Sequence, residues 1–342
     1  MKIFKIVALL VALTLPITAS AKELYLYNWS EYMPEEVIQM FQKETGIKVI
    51  YNTYDSNEAL YAKVKLISGK GYDLIVPSTY YVSKMRKENL LHKIDKTKLT
   101  NFKNLEPSLL NKHYDPENQY SIPYLWGSTG ISYNDKRVKG TVDSWNDLWK
   151  PEYKGRVLMT DDVREVFQMA LVLLGYSGNS TNEAEIKAAY EKLKTLMPSV
   201  RIFNSESPKV PYINGEVIIG MNWNGEAFLA SEEMPSMRYV YPKEGVILWM
   251  DNFAIPKNAE NINEAYAFIN FILRPDISKI ISEEIGYAIP NKAGIELLDD
   301  EIRDNPIIYP SQAIIEKGEF QEDVGDAILI YEKYWQMLKT GK

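Results

Sequence analysis

The chain has 342 residues, of which 46% are hydrophobic, 25% charged and 12% aromatic, and these values are typical of a globular protein rather than a disordered, collagenous or coiled-coil one. Its 46 acidic residues exceed its 39 basic residues, and the net charge of −7 argues against a nucleic-acid partner while leaving cationic ligands open. Because the chain has no cysteine and only two histidines, thiol catalysis, disulfides, iron–sulfur clusters, Cys-rich zinc sites and three-histidine metal sites are excluded.

Residues 1–21 have the features of a cleavable signal peptide. A basic start with Lys2 and Lys5 is followed by a short apolar run and by the small residues Ala19–Ala21. The apolar run is too short for a stable membrane span, although an uncleaved membrane anchor is the alternative interpretation. We therefore expect cleavage after Ala21 and a soluble protein exported to the periplasm, where the absence of cysteine suits an oxidising compartment.

Strand and helix patterns alternate in the first part of the mature chain. The predicted strands are Leu24–Trp29, Ile47–Tyr54 and Tyr72–Val76, and the predicted helices are Glu35–Thr45 and Asn57–Ile67. Gly46 ends the first helix, as glycine does in a left-handed cap. This β-α-β-α-β order predicts a parallel sheet with right-handed crossovers.

The second part continues with mixed α/β signals. The predicted strands are Val157–Met159, Val217–Trp223 and Gly245–Trp249, and the predicted helices are Arg164–Leu174, Ile186–Leu196, Ala265–Leu273, Ile277–Glu284 and Gly325–Leu338. The sequence contains no internal repeat and no Gly/Ser-rich linker. The length predicts roughly two domains, at about 100–200 residues each, and we expect them to pack across a cleft.

The residues that follow the predicted strands indicate the chemistry of a ligand, because open parallel sheets bind ligands beyond the carboxyl ends of their strands. These positions repeatedly carry an aromatic side chain, a carboxylate or both. They are Trp29, Ser30, Glu31, Tyr32, Ser78, Thr79, Tyr80, Tyr81, Asp161, Asp162, Arg164, Glu165, Trp223, Trp249, Met250 and Asp251. Buried ammonium groups need carboxylate partners, and aromatic faces cover methylenes and attract cations. The pattern favours an extended organic cation.

Each of these residues also has a purely structural interpretation. Asp162 and Glu165 have the spacing of a capping box at a helix start, and a tryptophan at a strand end is often part of the core. Trp249 and Asp251 are stronger evidence for a site. Because they are two residues apart on an extended segment, the indole and the carboxylate face the same side.

Long motifs at these positions resemble a known family. They include LYNWSEYMP at 26–34, YDLIVPSTYYVSKMRKE at 72–88, DDVREVFQMAL at 161–171 and GYAIPN at 286–291. On these motifs the chain resembles the spermidine/putrescine-binding periplasmic proteins of bacterial polyamine ABC importers, over residues 24–340. The resemblance implies the type II periplasmic binding protein fold, with two α/β domains, each a mostly parallel sheet flanked by helices, and a ligand cleft between them.

The resemblance also implies a set of ligand-binding residues and no catalytic residue, metal or cofactor. Aromatic rings that cover methylenes are expected at Trp29, Tyr32, Trp223, Trp249 and Tyr287; carboxylates that take ammonium groups at Asp162, Glu165 and Asp251; contacts to one ligand end at Ser30 and Glu31; and further hydrogen bonds at Ser78, Tyr80 and Gln321. Ser30 stands where close relatives often have threonine, so the hydroxyl is kept and a methyl group is lost.

The implied domains are discontinuous. We expect an N-terminal lobe of residues 22–126 and 250–295 and a C-terminal lobe of residues 127–249 and 296–342. The expected mechanism is capture of a polyamine by closure of the cleft and delivery to the membrane permease of an ABC importer. Spermidine is expected to bind better than putrescine, because three ammonium groups match several carboxylates more completely than two do. The protein is expected to be a monomer.

Three alternatives remain open at this point. The same binding fold could report polyamine levels to a membrane signalling protein. A ferric-ion binder of the same fold class is suggested by the adjacent tyrosines Tyr80 and Tyr81. Paired carboxylates flanked by tryptophan also describe the sugar cleft of a glycosidase, although no other feature of the sequence requires one.

Overall fold

The structure of the protein, a computed structural model, describes residues 22–341 and has a mixed α/β architecture. The predicted signal peptide lies outside the described residues. Between residues 22 and 341, no helix has the length and apolar character needed to cross a membrane.

Ten strands and thirteen helices make up the regular structure of the described residues. The strands are β1 (Glu23–Trp29), β2 (Lys48–Tyr54), β3 (Leu74–Ile75), β4 (Ser121–Asn134), β5 (Val157–Met159), β6 (Val200–Phe203), β7 (Ile219–Trp223), β8 (Met237–Val240), β9 (Ile247–Ala254) and β10 (Glu319–Phe320). The helices are α1 (Glu35–Thr45), α2 (Asn57–Leu66), α3 (Thr79–Lys87), α4 (Val163–Leu173), α5 (Glu183–Leu196), α6 (Lys209–Ile213), α7 (Asn224–Glu233), α8 (Ile262–Ile272), α9 (Pro275–Ile285), α10 (Lys292–Ile295), α11 (Asp300–Arg303), α12 (Gln312–Lys317) and α13 (Ile328–Thr340).

One continuous sheet has two parallel halves joined by an antiparallel centre. The strand order is β2-β1-β3-β9-β4-β7-β5-β6, with β10 beside β9 and β8 beside β4. Strand β1 runs parallel to β2 and β3, and β5 runs parallel to β6 and β7. The central strands β4 and β9 pair antiparallel along most of their length. Each half therefore has the parallel β-α-β arrangement that the first part of the sequence predicts.

Helix α1 illustrates how the local sequence produces these elements. Val37 and Phe41 are four residues apart, so they lie on one helix face, and both are fully buried. The helix ends at Gly46, which has the left-handed φ of +69° and donates its N–H to the carbonyl of Gln42 at 2.9 Å. The predicted glycine cap is confirmed.

Each half of the sheet has its own apolar core. Leu26, Phe41 and Phe268 belong to the core beside β1, whereas Phe167 and Tyr331 belong to the core beside β5. The two largest apolar clusters, one on each half, are compatible with two lobes, and the lobe boundaries at residues 126, 249 and 295 stay a prediction.

The long strand β4 has no counterpart among the predicted elements. Its first twelve residues are all buried, so the sequence lacks the alternation of an amphipathic strand, and Pro123, Gly127 and Gly130 are typical strand breakers. Gly127 is required by packing, because a Cβ there would lie 2.6 Å from the Trp249 ring. Strand β9 likewise extends beyond its predicted end at Trp249 as far as Ala254.

Candidate functional site

A cavity of about 690 Å³, counting the space at its mouth, lies at the carboxyl ends of the parallel strands. The cavity is lined by Trp29, Ser30, Glu31, Tyr32, Tyr54, Asp55, Asn57, Ser78, Asp162, Glu165, Ser205, Glu206, Trp223, Glu226, Trp249, Asp251, Tyr287 and Gln321. All of the predicted ligand-binding residues except Tyr80 are among them.

The topology of the sheet explains why these distant residues meet. Strand β1 ends at Trp29 and β7 ends at Trp223, and the carboxyl ends of parallel strands within each half lie at one edge. Strand β9 brings both Trp249 and Asp251 to the cavity, so the expectation that this pair faces the same side is confirmed. Gln321 follows β10, whose pairing with β9 holds it beside them.

Aromatic rings form a rigid wall on one side of the cavity. The Trp249 and Tyr287 ring centroids are 5.1 Å apart, and those of Tyr287 and Tyr32 are 5.7 Å apart, both edge to face. Tyr287 fits because residue 225 is glycine, since a Cβ at Gly225 would lie 2.4 Å from the tyrosine ring. Three interlocked rings therefore present apolar surface to whatever occupies the cavity.

Asp251 is a buried carboxylate without a positive partner among residues 22–341. Ser78 donates its hydroxyl to Asp251 Oδ1 at 2.5 Å, and Tyr32 donates its hydroxyl to Oδ2 at 2.8 Å. Burial raises the pKa of Asp251 to about 7, although these two hydrogen bonds oppose the shift. A cation beside Asp251 would favour its ionised form.

Glu165 and Asp162 form a second acidic group in the lining of the cavity. Asp162 caps α4 by accepting the backbone N–H of Glu165 at 2.9 Å. Glu165 accepts from Thr129 Oγ1 at 2.8 Å and from Trp223 Nε1 at 3.0 Å. Burial, together with the Asp162 charge, raises the pKa of Glu165 to about 8, and burial also raises the pKa of Asp162. Asp162 therefore has both roles considered for it from the sequence, because it caps the helix and also lines the cavity.

The cavity is strongly acidic as a whole. Its carboxylates are those of Glu31, Asp55, Asp162, Glu165, Glu206, Glu226 and Asp251. Within the described chain, no lysine, arginine or histidine lines it. Buried carboxylates are costly unless paired, so the cavity is suited to a ligand that supplies several positive charges. The ring wall suits apolar segments between those charges.

Gln321 adds an unpaired polar group. Its backbone is fixed, because its N–H donates to the Leu248 carbonyl at 3.1 Å and its carbonyl accepts from Thr79 Oγ1 at 2.6 Å. Its side-chain Nε2 is buried with no hydrogen-bond partner among residues 22–341. A buried amide of this kind is normally satisfied, and here the cavity is the place where a partner would sit.

Tyr80 is the one predicted residue that does not line the cavity. It lies on α3, is buried, and accepts a hydrogen bond from Asn57 Nδ2 at 3.2 Å. Asn57 Nδ2 also donates to Ser78 Oγ at 3.0 Å. Tyr80 thus contacts the group that positions Ser78, and a direct ligand contact for Tyr80 stays a prediction.

Several lining residues were not predicted from the sequence. They are Tyr54, Asp55, Asn57, Ser205, Glu206 and Glu226. Tyr54 and Asp55 stand at the carboxyl end of β2, so the rule used for the other strands could have found them. Ser205 and Glu206 follow β6, which the sequence patterns did not predict, and Glu226 lies within the first turn of α7.

Comparison with known proteins places the chain in a family of bacterial solute-binding proteins. Residues 36–310 match the family described as bacterial extracellular solute-binding protein. The chain is 57% identical over 320 residues to spermidine/putrescine-binding periplasmic proteins of Salmonella typhimurium and Escherichia coli, covering 93% of this chain and 92% of each relative. It is 36% identical to the putrescine-binding periplasmic protein PotF of Escherichia coli, covering 95% of this chain and 94% of the relative.

A solved structure is similar over the same extent. The spermidine/putrescine ABC transporter substrate-binding protein PotD of Streptococcus pneumoniae is 38% identical, with a TM-score of 0.77, and the match covers 92% of this chain and 99% of that one. The fold is therefore shared along nearly the whole chain.

Proposed function

This chain belongs to the bacterial extracellular solute-binding protein family, and we propose that it captures polyamines in the acidic cavity and delivers them to the permease of an ABC importer. Relatives that are 57% identical over nearly the full chain are named spermidine/putrescine-binding periplasmic proteins. Their names also imply the periplasm as the place of action. We propose that residues 1–21 direct export and are then removed.

The observation that carries this proposal is the set of buried carboxylates without positive partners beside a wall of rings. Asp251 and Glu165 are each held by neutral hydrogen-bond donors, so neither charge is balanced by the chain itself. Linear polyamines bring ammonium groups at fixed separations along an apolar chain. Their ammonium groups would balance the carboxylates, and their methylenes would lie against Trp249 and Tyr287.

We propose the following contacts for the bound ligand. Trp29, Tyr32, Trp223, Trp249 and Tyr287 cover methylenes; Asp162, Glu165 and Asp251 take ammonium groups; Ser30 and Glu31 meet one end; Ser78 and Gln321 supply further hydrogen bonds. Tyr80 is proposed to supply a further hydrogen bond as well, and it also contacts Asn57, which donates to Ser78.

The proposed lobes explain how a ligand would be enclosed. Asp251 belongs to the proposed N-terminal lobe of residues 22–126 and 250–295, and Glu165 belongs to the proposed C-terminal lobe of residues 127–249 and 296–342. A ligand that pairs with both carboxylates links the lobes, so binding would favour the closed form. The protein acts as a monomer, and the closed form is what the permease recognises.

Calorimetric titration of the unfolded-and-refolded protein, which removes any carried-over ligand, tests this function. Spermidine, norspermidine, putrescine and cadaverine form the panel. We expect micromolar or tighter binding of the triamines and weaker binding of the diamines, because a diamine leaves part of the interior charge unbalanced. Absence of binding across the whole panel, with protein shown to be folded, would overturn the proposal. Loss of polyamine uptake in a deletion strain separates a transport role from a sensory one.

A further inference from the structure

One lysine of the chain already supplies an ammonium group at the mouth of the cavity. Lys209 Nζ lies 3.3 Å from Glu31 Oε2 and 3.8 Å from Glu226 Oε1. The backbone N–H of Lys209 also donates to Glu226 Oε2 at 3.2 Å. Both carboxylates line the cavity, whereas Lys209 reaches them from outside its lining.

The burial of this group distinguishes it from a surface ion pair. The side chains of Lys209 and Glu226 are 19% and 11% exposed, whereas Glu31 is 60% exposed. Burial raises the pKa of Glu226, and the nearby Lys209 charge opposes that shift. Glu226 would be a buried carboxylate without a counter-charge if Lys209 were neutral, since no other ion pair in the described chain involves it.

From this geometry we infer that Lys209 is a built-in cation that occupies one ammonium position of the cavity and so limits the number of ammonium groups that a ligand can place there. The inference rests on the proposed function. The contact uses Oε2 of Glu31, so its other oxygen can still meet the terminal ammonium of a triamine. A further ammonium directed at Glu226 would meet the lysine charge, and like charges at such distances repel.

Removal of the lysine charge should therefore create a vacant ammonium position. In Lys209→Met, Glu226 keeps its burial and loses its partner. A tetraamine could then supply the missing charge with its extra ammonium, whereas a triamine, already paired in the interior, gains less. The readout is the ratio of spermine affinity to spermidine affinity, because any general loosening of the mouth affects both ligands and cancels in the ratio.

Calorimetric titrations of wild type and Lys209→Met with spermidine and spermine at low salt measure this ratio. We expect it to rise about tenfold in the variant, which corresponds to about 1.4 kcal/mol. Lys209→Arg keeps the charge and should keep the wild-type ratio. The double variant Lys209→Met/Glu226→Gln removes both charges and should abolish the gain. Lys243→Met is the matched control, because Lys243 pairs with Asp143 at 3.0 Å on the surface and does not line the cavity.

The outcomes separate this inference from the proposed function. If wild type binds neither amine, the proposed function fails. If wild type binds spermidine and Lys209→Met leaves the ratio unchanged, or lowers both affinities equally, the lysine is only a structural contact and the inference is overturned. A thermal melt of each variant shows whether it is folded, and Lys209→Gln, which also removes the charge and should also raise the ratio, replaces Lys209→Met if that variant is unstable.

Discussion

The interior carboxylates of the cavity, Asp251 and Glu165, have no positive partner in the described chain, whereas the mouth carboxylates, Glu31 and Glu226, are paired with Lys209. In the interior, Asp251 is 6% exposed and Glu165 is 3% exposed, and only hydroxyl and indole groups donate to their side chains. At the mouth, Glu226 is likewise buried, and Lys209 approaches it at 3.8 Å. Burial is therefore similar in both regions, and the difference lies in whether the chain provides a cation.

This difference has an energetic meaning. An ionised carboxylate that leaves water without a counter-charge lowers the stability of the ligand-free protein. Between residues 22 and 341, the chain provides no counter-charge for Asp251 and Glu165, so the cost remains there, whereas Lys209 offsets the cost of burying Glu226. We interpret the interior as charge kept free for a ligand and the mouth as charge that the protein satisfies by itself.

Two neighbouring residues make the same contrast at shorter range. Asp161 pairs with Lys339 at 2.6 Å on the protein surface. Asp162, the next residue, caps α4 and lines the cavity, and it has no ion pair among the described residues. The part of the chain that the structure describes thus provides a lysine for the carboxylate next to the site residue and none for the site residue itself.

Removing one interior charge should have the largest effect. We expect Asp251→Asn to weaken polyamine binding by about 2–5 kcal/mol, and therefore more than tenfold, because truncation of one partner of a desolvated ion pair costs about that much. Calorimetry with spermidine measures the change. Asp143→Asn is the control, since Asp143 is an exposed carboxylate paired with Lys243. An unchanged affinity in Asp251→Asn would show that Asp251 does not contact the ligand.

Binding should also depend on pH, because the interior carboxylates have raised pKa values in the ligand-free protein. The pKa of Asp251 is about 7 and that of Glu165 is about 8, and a bound ammonium lowers both pKa values by favouring the ionised form. Binding below about pH 8 therefore releases protons, and affinity should rise from about pH 6 to about pH 8.5 by at most about tenfold per pH unit for each released proton.

Calorimetry in two buffers with different ionisation enthalpies counts those protons. Asp251→Asn should release fewer of them than wild type. If the affinity and the number of released protons did not change between pH 6 and pH 8.5, the interior carboxylates would not be the groups that pair with the ligand.

Stability should respond in the opposite direction from binding. Because the pKa of Glu165 is raised to about 8 in the folded state, its stabilising contribution is fully present below the unfolded-state pKa of about 4.3 and is lost as the pH rises through about 8. Glu165→Gln keeps the side-chain carbonyl that Thr129 and Trp223 donate to and removes the charge. We expect the ligand-free variant to melt a few degrees higher than wild type near pH 9, although it binds polyamine more weakly.

Thermal melts of the ligand-free proteins at pH 6 and pH 9 test this expectation. The gap between variant and wild type should be larger at pH 9, where the wild-type glutamate is ionised. Glu216→Gln is the control, because Glu216 is a partly exposed residue paired with Arg201 and does not line the cavity. A variant that is less stable than wild type at both pH values would show that the Glu165 charge does not destabilise the ligand-free protein.

Sequence patterns located the interior better than the mouth. Trp29 and Asp162 stand at or just beyond strand ends, and a rule about strand ends depends only on local periodicity. Asp251 follows the predicted end of β9 at Trp249, although the observed strand continues to Ala254. Resemblance added Tyr287 and Gln321, which lie far along the chain from those strands. Glu226 was not predicted as a site residue. Its place at the cavity depends on its ion pair with Lys209, seventeen residues earlier, and no local pattern brings those two side chains together.

The same reason explains the errors in the fold. The amphipathic helix α1 was predicted with its observed bounds, because one face is buried and the other is solvated. Strand β4 is buried on both faces between β9 and β7, and its glycines are set by neighbours such as Trp249. Contacts between distant segments, which a single sequence does not display, determine both β4 and the charge pair at the mouth.

The smallest expected effect concerns the rings of the interior. Trp249 differs from Trp29 and Trp223, whose indole N–H groups donate to Val76 and Glu165, because the Trp249 Nε1 is buried without a partner among residues 22–341. Trp249→Phe therefore breaks no hydrogen bond and reduces only the aromatic surface. We expect it to weaken binding by about 0.5–1 kcal/mol, or roughly two- to fivefold, because tryptophan attracts a cation more strongly than phenylalanine does.

Calorimetry over the pH range used above separates this ring effect from a charge effect. Since the charges of Asp251 and Glu165 are unchanged in Trp249→Phe, affinity should fall by the same factor at every pH, and the number of released protons should match wild type. Trp149→Phe is the control, because Trp149 lies against Lys192 and does not line the cavity. A change in the pH profile would instead mean that the Trp249 ring shields the carboxylates from water. Trp249 would then be a cause of the raised pKa values of Asp251 and Glu165.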